Sequence, residues 1–371
     1  MRRLLVCLGL VFAPLASNAP NAPNAPNVPN GFNVPNAPNA PNGPHAPNAL
    51  PPTIRAYLER VGFGSREYEA LAAGRPAARI IETSEHDQLG VVAVIKVNAP
   101  PSRFVAANRN IVGFESGDGV LAIGTMSMPP VVSDVASLVL PHTDFSDLKS
   151  CRIGDCAMNL SSSAIARLRA GVNWSDVGAP TVARRFVQQM LVDYVEAYQR
   201  LGNGALVVYH DVQPPIPTGP RTTQLFVDAG LLSGLPPLGE YFTRYRQVPL
   251  PLGVEEVFYW QQLTFGMKPV TRVNHVLMAP VIVDDRRAFV LVSRMIYSSH
   301  YFRDGLEVRY MVPADQSPDP KAFYLLCISR SHSESLTGFK GFLIGGAVRR
   351  YVRDWMGRYT AHVREMLESS H

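Results

Sequence analysis

Apolar residues follow different rhythms in successive parts of this chain, and each rhythm predicts a type of element. Residues 53–60 and 65–73 open on Thr53 and Ser65 and read as short helices. Residues 77–83 and 91–97 are β-branched and apolar around polar 84–88, which predicts a hairpin. Pro100-Pro101 ends the second strand and opens a helix over 102–110. A loop over 113–119 and a strand over 120–126 follow. Residues 133–245 read as mainly helical or irregular. Their clearest element spans 180–201, where Val182, Phe186, Met190, Tyr194 and Tyr198 stand four apart. Pro180 suits its first turn and Gly202 stops it.

From residue 254 the pattern becomes long strands in series: 254–265, 270–283, 287–299, 306–312 and 322–330. Gly266, Asp284-Asp285, Asp304-Gly305 and the 315–320 stretch punctuate them. Such short connections imply an antiparallel meander. One long helix over 346–368 closes the chain. Val348, Val352, Trp355, Tyr359, Val363, Met366 and Leu367 form its apolar face, and Arg349, Arg350, Arg353, Asp354, Arg358 and Glu365 the other. The predicted class is α+β: a curved antiparallel sheet wrapped around the final helix, with a mainly helical insertion at about 133–245.

The first 52 residues are a separate object. Arg2 and Arg3 precede an apolar run over 4–16, and Ser17-Asn18-Ala19 resembles a cleavage site, so residues 1–19 read as a signal peptide. Asn then recurs at every third position from 18 to 48, with His45 in the one missing slot; Pro stands two residues after nearly every Asn, and Phe32 breaks that series. Residues 20–52 thus predict an uncharged polyproline-II-like linker of about 3 Å per residue. Composition agrees, since 12 of the 32 prolines fall before residue 53. The remaining 319 residues carry 33 basic and 30 acidic side chains, enough chain for a sizeable core and no argument for a nucleic-acid partner. The expected location is exported: periplasmic, cell envelope or secreted.

The order of elements resembles the START-like (SRPBCC, helix-grip) superfamily. Residues 68–110, with "VNAPPSRFVAANRNI" after the second strand, look like its opening. Residues 270–332 look like its meander, and "ESLTGFKGFLIGGAVRRYVRDW" like the Gly-containing approach to its final helix. Residues 133–245 have no counterpart in that pattern. The resemblance implies a hydrophobic cavity between sheet and helix and a role in binding or transferring a lipid-like or other apolar small molecule. A minority of such folds are enzymes. A cyclase or hydrolase using His300 or His210 as a base is one alternative, and a cell-envelope structural protein is another.

Candidate chemistry lies mostly on the strands. Gln261, Gln262, His275, Arg294, Tyr297 and His300 are polar residues in apolar runs, as in the wall of a small-molecule site. Trp260, His275, Arg294, Tyr297, His300, Tyr301 and Arg330 are the expected ligand-binding residues, with Arg294, Tyr297 and His300 at the polar end. Strict alternation places Arg294 and Tyr297 on opposite faces. Cys151 and Cys156 predict a short disulfide loop in an exported protein, with free thiols or a metal or redox pair as the alternatives, and Cys327 a small core residue. His210 and Asp211 are adjacent on a strand and point apart. No catalytic residue, metal site or cofactor is expected. The arginines of the last helix leave room for peripheral contact with anionic membrane.

Overall fold

The computed structural model describes residues 32–33, 50–83, 85–264, 268–336 and 338–369. The signal peptide, most of the repeat linker and the turn at Gly266 lie outside the described residues. In chain order the elements are β1 (Phe32–Asn33), α1 (Pro52–Arg60), α2 (Ser65–Ala72), β2 (Ala77–Ile81), β3 (Gln88–Val97), α3 (Pro101–Arg109), α4 (Ile111–Glu115) and β4 (Val120–Met126). The insertion contributes α5 (His142–Ser150), α6 (Ser162–Gly171), α7 (Ala179–Leu201), β5 (Val208–Tyr209), β6 (Ile216–Pro217), α8 (Thr218–Asp228), α9 (Leu231–Gly234) and α10 (Pro236–Thr243). The meander is β7 (Glu255–Leu263), β8 (Val270–Val283), β9 (Arg286–Ser298), β10 (Phe302–Pro313) and β11 (Phe323–Ser333), and α11 (Gly338–Ser369) ends the chain.

Eight strands run β2-β3-β11-β10-β9-β8-β7-β4, all antiparallel, in an open sheet. The meander is therefore closed on one side by β3, from the start of the domain, and on the other by β4. Phe32–Asn33 pairs in parallel with Val281–Ile282, past the end of β7 on β8. Phe32 occupies a slot of the triplet repeat that otherwise holds proline, and so keeps the backbone N–H a ladder needs.

Both faces of the sheet are covered. On one, Phe104 of α3, Ile111 and Phe114 of α4, and Met356, Val363 and Leu367 of α11 pack on Val91, Ala93, Ile95, Phe289, Leu291, Phe323 and Leu325. On the other, α1, α2 and the insertion pack through Leu58, Leu71, Leu168, Leu191, Phe226 and Phe242 on Val92, Val94, Leu277, Val292 and Leu326. Two buried faces explain why these strands read as nearly continuous apolar runs. Among the described residues, no helix is long and apolar enough to cross a membrane.

The disulfide joins Cys151 to Cys156. The loop it closes is pinned by hydrogen bonds from the Gly154 and Cys156 amides to the carbonyls of His210 and Asp211. Gly154 has φ +80°, and a Cβ there would meet Gln213 at 2.8 Å. Loop-closure entropy for so short a ring is about 2 kcal/mol. Replacing both cysteines by serine is expected to lower stability in urea by about that amount. An unchanged unfolding midpoint contradicts this. Cys327 is fully buried, and burial pushes its thiol up to about 12.

Candidate ligand cavity

The strands facing α11 change character along their length. On β11 the residues on this face run Phe323, Leu325, Cys327, Ser329, Ser331, Ser333. On β9 they run Phe289, Leu291, Ser293, Met295, and on β8 Met278, Val276, Asn274, Arg272. One end of the face is filled by phenylalanines and leucines meeting Met356, Val363 and Leu367 of α11. At the other end serines and polar side chains replace most of these large apolar groups, and a gap opens beneath the helix. Gly305 contributes as well: a Cβ there would sit 3.2 Å from the Met295 methyl. The result is a cavity of about 370 Å³. Its walls are Leu89, Val91, Tyr259 and Met295 on the sheet and Val348, Val352 and Trp355 on the helix.

Polar groups line the same space. Arg272 Nε and Asn274 Nδ2 are buried and have no hydrogen-bond partner among the described residues. Buried donors are normally paired, so an acceptor on a bound molecule suits them. Glu307 lines the cavity but is already engaged by Arg309, which also donates to Glu115 Oε1 at 2.5 Å. Burial opposes the charge on Arg309, yet Glu115 and Glu307 outweigh it and hold its pKa above the usual value.

Of the seven expected ligand residues, Tyr301 and Arg330 border this cavity. The Tyr301 hydroxyl accepts from the Lys268 amide at 3.1 Å. Arg330 Nη1 donates to Gln88 Oε1 at 3.2 Å, and Arg330 also lines a wider groove of about 900 Å³ on the opposite face, between α1 and α8–α9. The other five are corrected in position, because they face the insertion rather than α11. Trp260 Nε1 donates to Asp134 O at 2.8 Å, and the Tyr297 hydroxyl to Asn159 O at 3.2 Å. His300 is held by Ala157 O and Asp144. Arg294 Nη1 donates to the Tyr198 hydroxyl, Asn203 Oδ1 and Phe242 O. A β-bulge explains the error over Tyr297. Val273 pairs with Tyr297 but Asn274 with Met295, so Ile296 is an extra residue that carries Tyr297 to the face of Arg294.

His275 completes a buried relay beneath the insertion. Arg294 donates to the Tyr198 hydroxyl, which is 3.1 Å from His275 Nδ1, and His275 Nε2 lies 2.8 Å from Glu256 Oε1. The Tyr241 hydroxyl also donates to Glu256, at 3.0 Å. Both ring nitrogens are satisfied in the neutral imidazole if Nδ1 accepts from Tyr198 and Nε2–H donates to Glu256. Burial holds the pKa of His275 below 6.5, with Arg294 and Arg246 adding to it and Glu256 opposing. A lowered folded-state pKa means the unfolded chain binds the proton first. Stability from this group is thus complete above about pH 6.5 and is lost as pH falls below it, by at most about 1.4 kcal/mol per pH unit. Urea midpoints at pH 7.5 and 5.5 check this, and His275→Gln is expected to flatten the difference. An equally steep fall in that variant contradicts the assignment.

His210 and Asp211 lie just past the end of β5 rather than on a strand, and their side chains take different partners. His210 Nδ1 meets Val208 O, and Asp211 pairs with Arg303 at 2.8 Å. Sequence reasoning missed Arg272, Asn274 and Ser293. Their signal was the run of small or polar residues at alternate positions near one end of each strand. No family model matches the chain, and no curated protein or solved structure matches it either.

Proposed function

We propose that this protein is an exported binding or transfer protein for a small amphipathic molecule, held between the sheet and α11 in a helix-grip arrangement. The observation that carries the reading is the cavity of about 370 Å³, apolar over most of its wall and with two unpaired donors, Arg272 Nε and Asn274 Nδ2. That volume lies at the small end of the range of about 300–1,000 Å³ for small-molecule sites. It suits one single-chain or small-ring molecule with an acceptor at its polar end. The order of elements supports the START-like resemblance: strand β3, short helices α3 and α4, strand β4, the meander β7–β11, then a long helix. The insertion of that scheme covers the outer face and leaves the inner one to the ligand. The disulfide and the reading of residues 1–19 support export. Among the described residues no histidine lines the cavity, so an acid–base mechanism through His300 or His210 has no group there.

Titration of the purified protein with a fluorescent long-chain fatty acid tests the proposal. Saturable one-to-one binding is expected with a dissociation constant on the order of micromolar. Absence of saturation up to about 100 μM rejects it.

A further inference from the structure

Away from the cavity, on the sheet face that carries the insertion, His332 is completely buried near the end of β11. Its Nδ1 lies 2.7 Å from Asp304 Oδ1, which also accepts from the His332 amide at 3.2 Å. A carboxylate only accepts, so Nδ1 carries a proton, and in the neutral imidazole Nε2 then presents a lone pair. That Nε2 is buried and has no hydrogen-bond partner. Glu85 Oε2 stands 3.5 Å from it, and a ligand oxygen of Asp87 falls in the same cluster, with all three ligand atoms within 4.8 Å of one another.

We propose that His332, Glu85 and Asp87 bind a divalent transition-metal ion such as zinc. A lone pair facing a carboxylate with no proton between them is repulsive, and a cation placed between them reverses the sign. Ligands at about 2.1 Å from a tetrahedral ion stand about 3.4 Å apart, close to the separation of Nε2 and Glu85. Imidazole with two carboxylates suits a borderline ion such as zinc. Asp304 then plays the outer carboxylate that fixes the tautomer and orientation of a metal-bound histidine. Arg221 holds Asp87 Oδ2 at 2.5 Å, which orients that carboxylate and leaves Oδ1 for the ion. Three acids, Glu85, Asp87 and Asp304, against Arg221 leave a net charge of −2 in this group to meet the cation.

The ion would tie the β2–β3 connection to β10 and β11. The two segments already touch through the Ser333 amide and Asp87 O at 2.8 Å. Three protein ligands leave a coordination position for water. A second group, Asp144, Asp147 and His300, is less suited. His300 Nε2 is already within 3.2 Å of Asp144, and Lys268 Nζ occupies Asp147 at 2.5 Å.

The test is calorimetric titration of the metal-stripped full chain with zinc chloride, followed by thermal melts. One strong site is expected, with a dissociation constant of about 1 μM or below and a melting temperature raised by several degrees. Glu85→Gln with Asp87→Asn is expected to weaken binding at least tenfold. Both positions are partly exposed, so this variant should fold. Asp144→Asn with Asp147→Asn is expected to leave the strong site intact. The proposal is overturned if the native protein takes up no zinc below about 100 μM, or if the Glu85/Asp87 variant binds as tightly as the native chain.

Discussion

Ser293→Phe is expected to abolish binding of an apolar ligand while leaving the protein folded. Ser293 is buried on β9, faces α11, and lies between Val276 and Glu307 across the ladders. Its side chain borders the cavity rather than a packed neighbour. A benzyl group there occupies ligand space, and the usual overpacking cost of about 1–3 kcal/mol should be reduced by the room available. The dissociation constant for a fatty-acid probe should rise at least thirtyfold, with the circular dichroism spectrum unchanged. Val348→Trp on the helix approaches the same space from the opposite wall and is expected to act alike. If both variants bind the probe as the native protein does, the ligand does not lie between sheet and helix.

Arg294→Met is expected to destabilise the whole domain rather than to alter binding. Arg294 is 1% exposed and ties α7, Asn203 and the end of α10 to the sheet. Removing it leaves the buried Tyr198 hydroxyl and Asn203 Oδ1 without this charged donor. Leaving buried acceptors unsatisfied costs about 1–3 kcal/mol each. Urea unfolding followed by circular dichroism measures the loss, and a change under about 0.5 kcal/mol contradicts the role assigned to the relay. Probe affinity of the folded fraction should be unchanged, because the side chain lies on the face away from the cavity. The two variants therefore separate ligand binding from attachment of the insertion.

Local rules were enough for much of the architecture. The stripe from Val182 to Tyr198 marks α7, and the apolar run over 270–283 coincides with β8. The Asp304-Gly305 pair was misleading. It reads as a turn, yet both residues lie inside β10, where Asp304 serves His332 and Gly305 lets Met295 pass. The reversal occurs earlier, around Tyr301, which adopts φ +63°. Glycines also hid the first turns of α11, which begins at Gly338 rather than at 346. The small helix α4 falls partly where a loop is expected.

The site was less legible, for two physical reasons. A bulge reverses which face a strand residue occupies, and nothing local to 294–297 announces one. The insertion covers much of one face of the sheet, so polar residues there serve packing contacts with partners roughly 50 to 160 positions away in sequence, as in the pairs His300–Asp144 and Arg294–Phe242. His332 and Glu85 are likewise 247 positions apart, and only the pairing of β11 with β3 brings them together.

The central claim is that a ligand lies against α11, and Trp355 reports on it. Of the three tryptophans, Trp355 lines the cavity, Trp260 faces the insertion, and Trp174 packs on Phe145. The decisive measurement is quenching of tryptophan fluorescence by a dibrominated fatty acid, in the native protein and in Trp355→Phe and Trp174→Phe. The account predicts saturable quenching in the native protein and in Trp174→Phe, and its loss in Trp355→Phe. Quenching that persists undiminished in Trp355→Phe, or that never occurs, would contradict it.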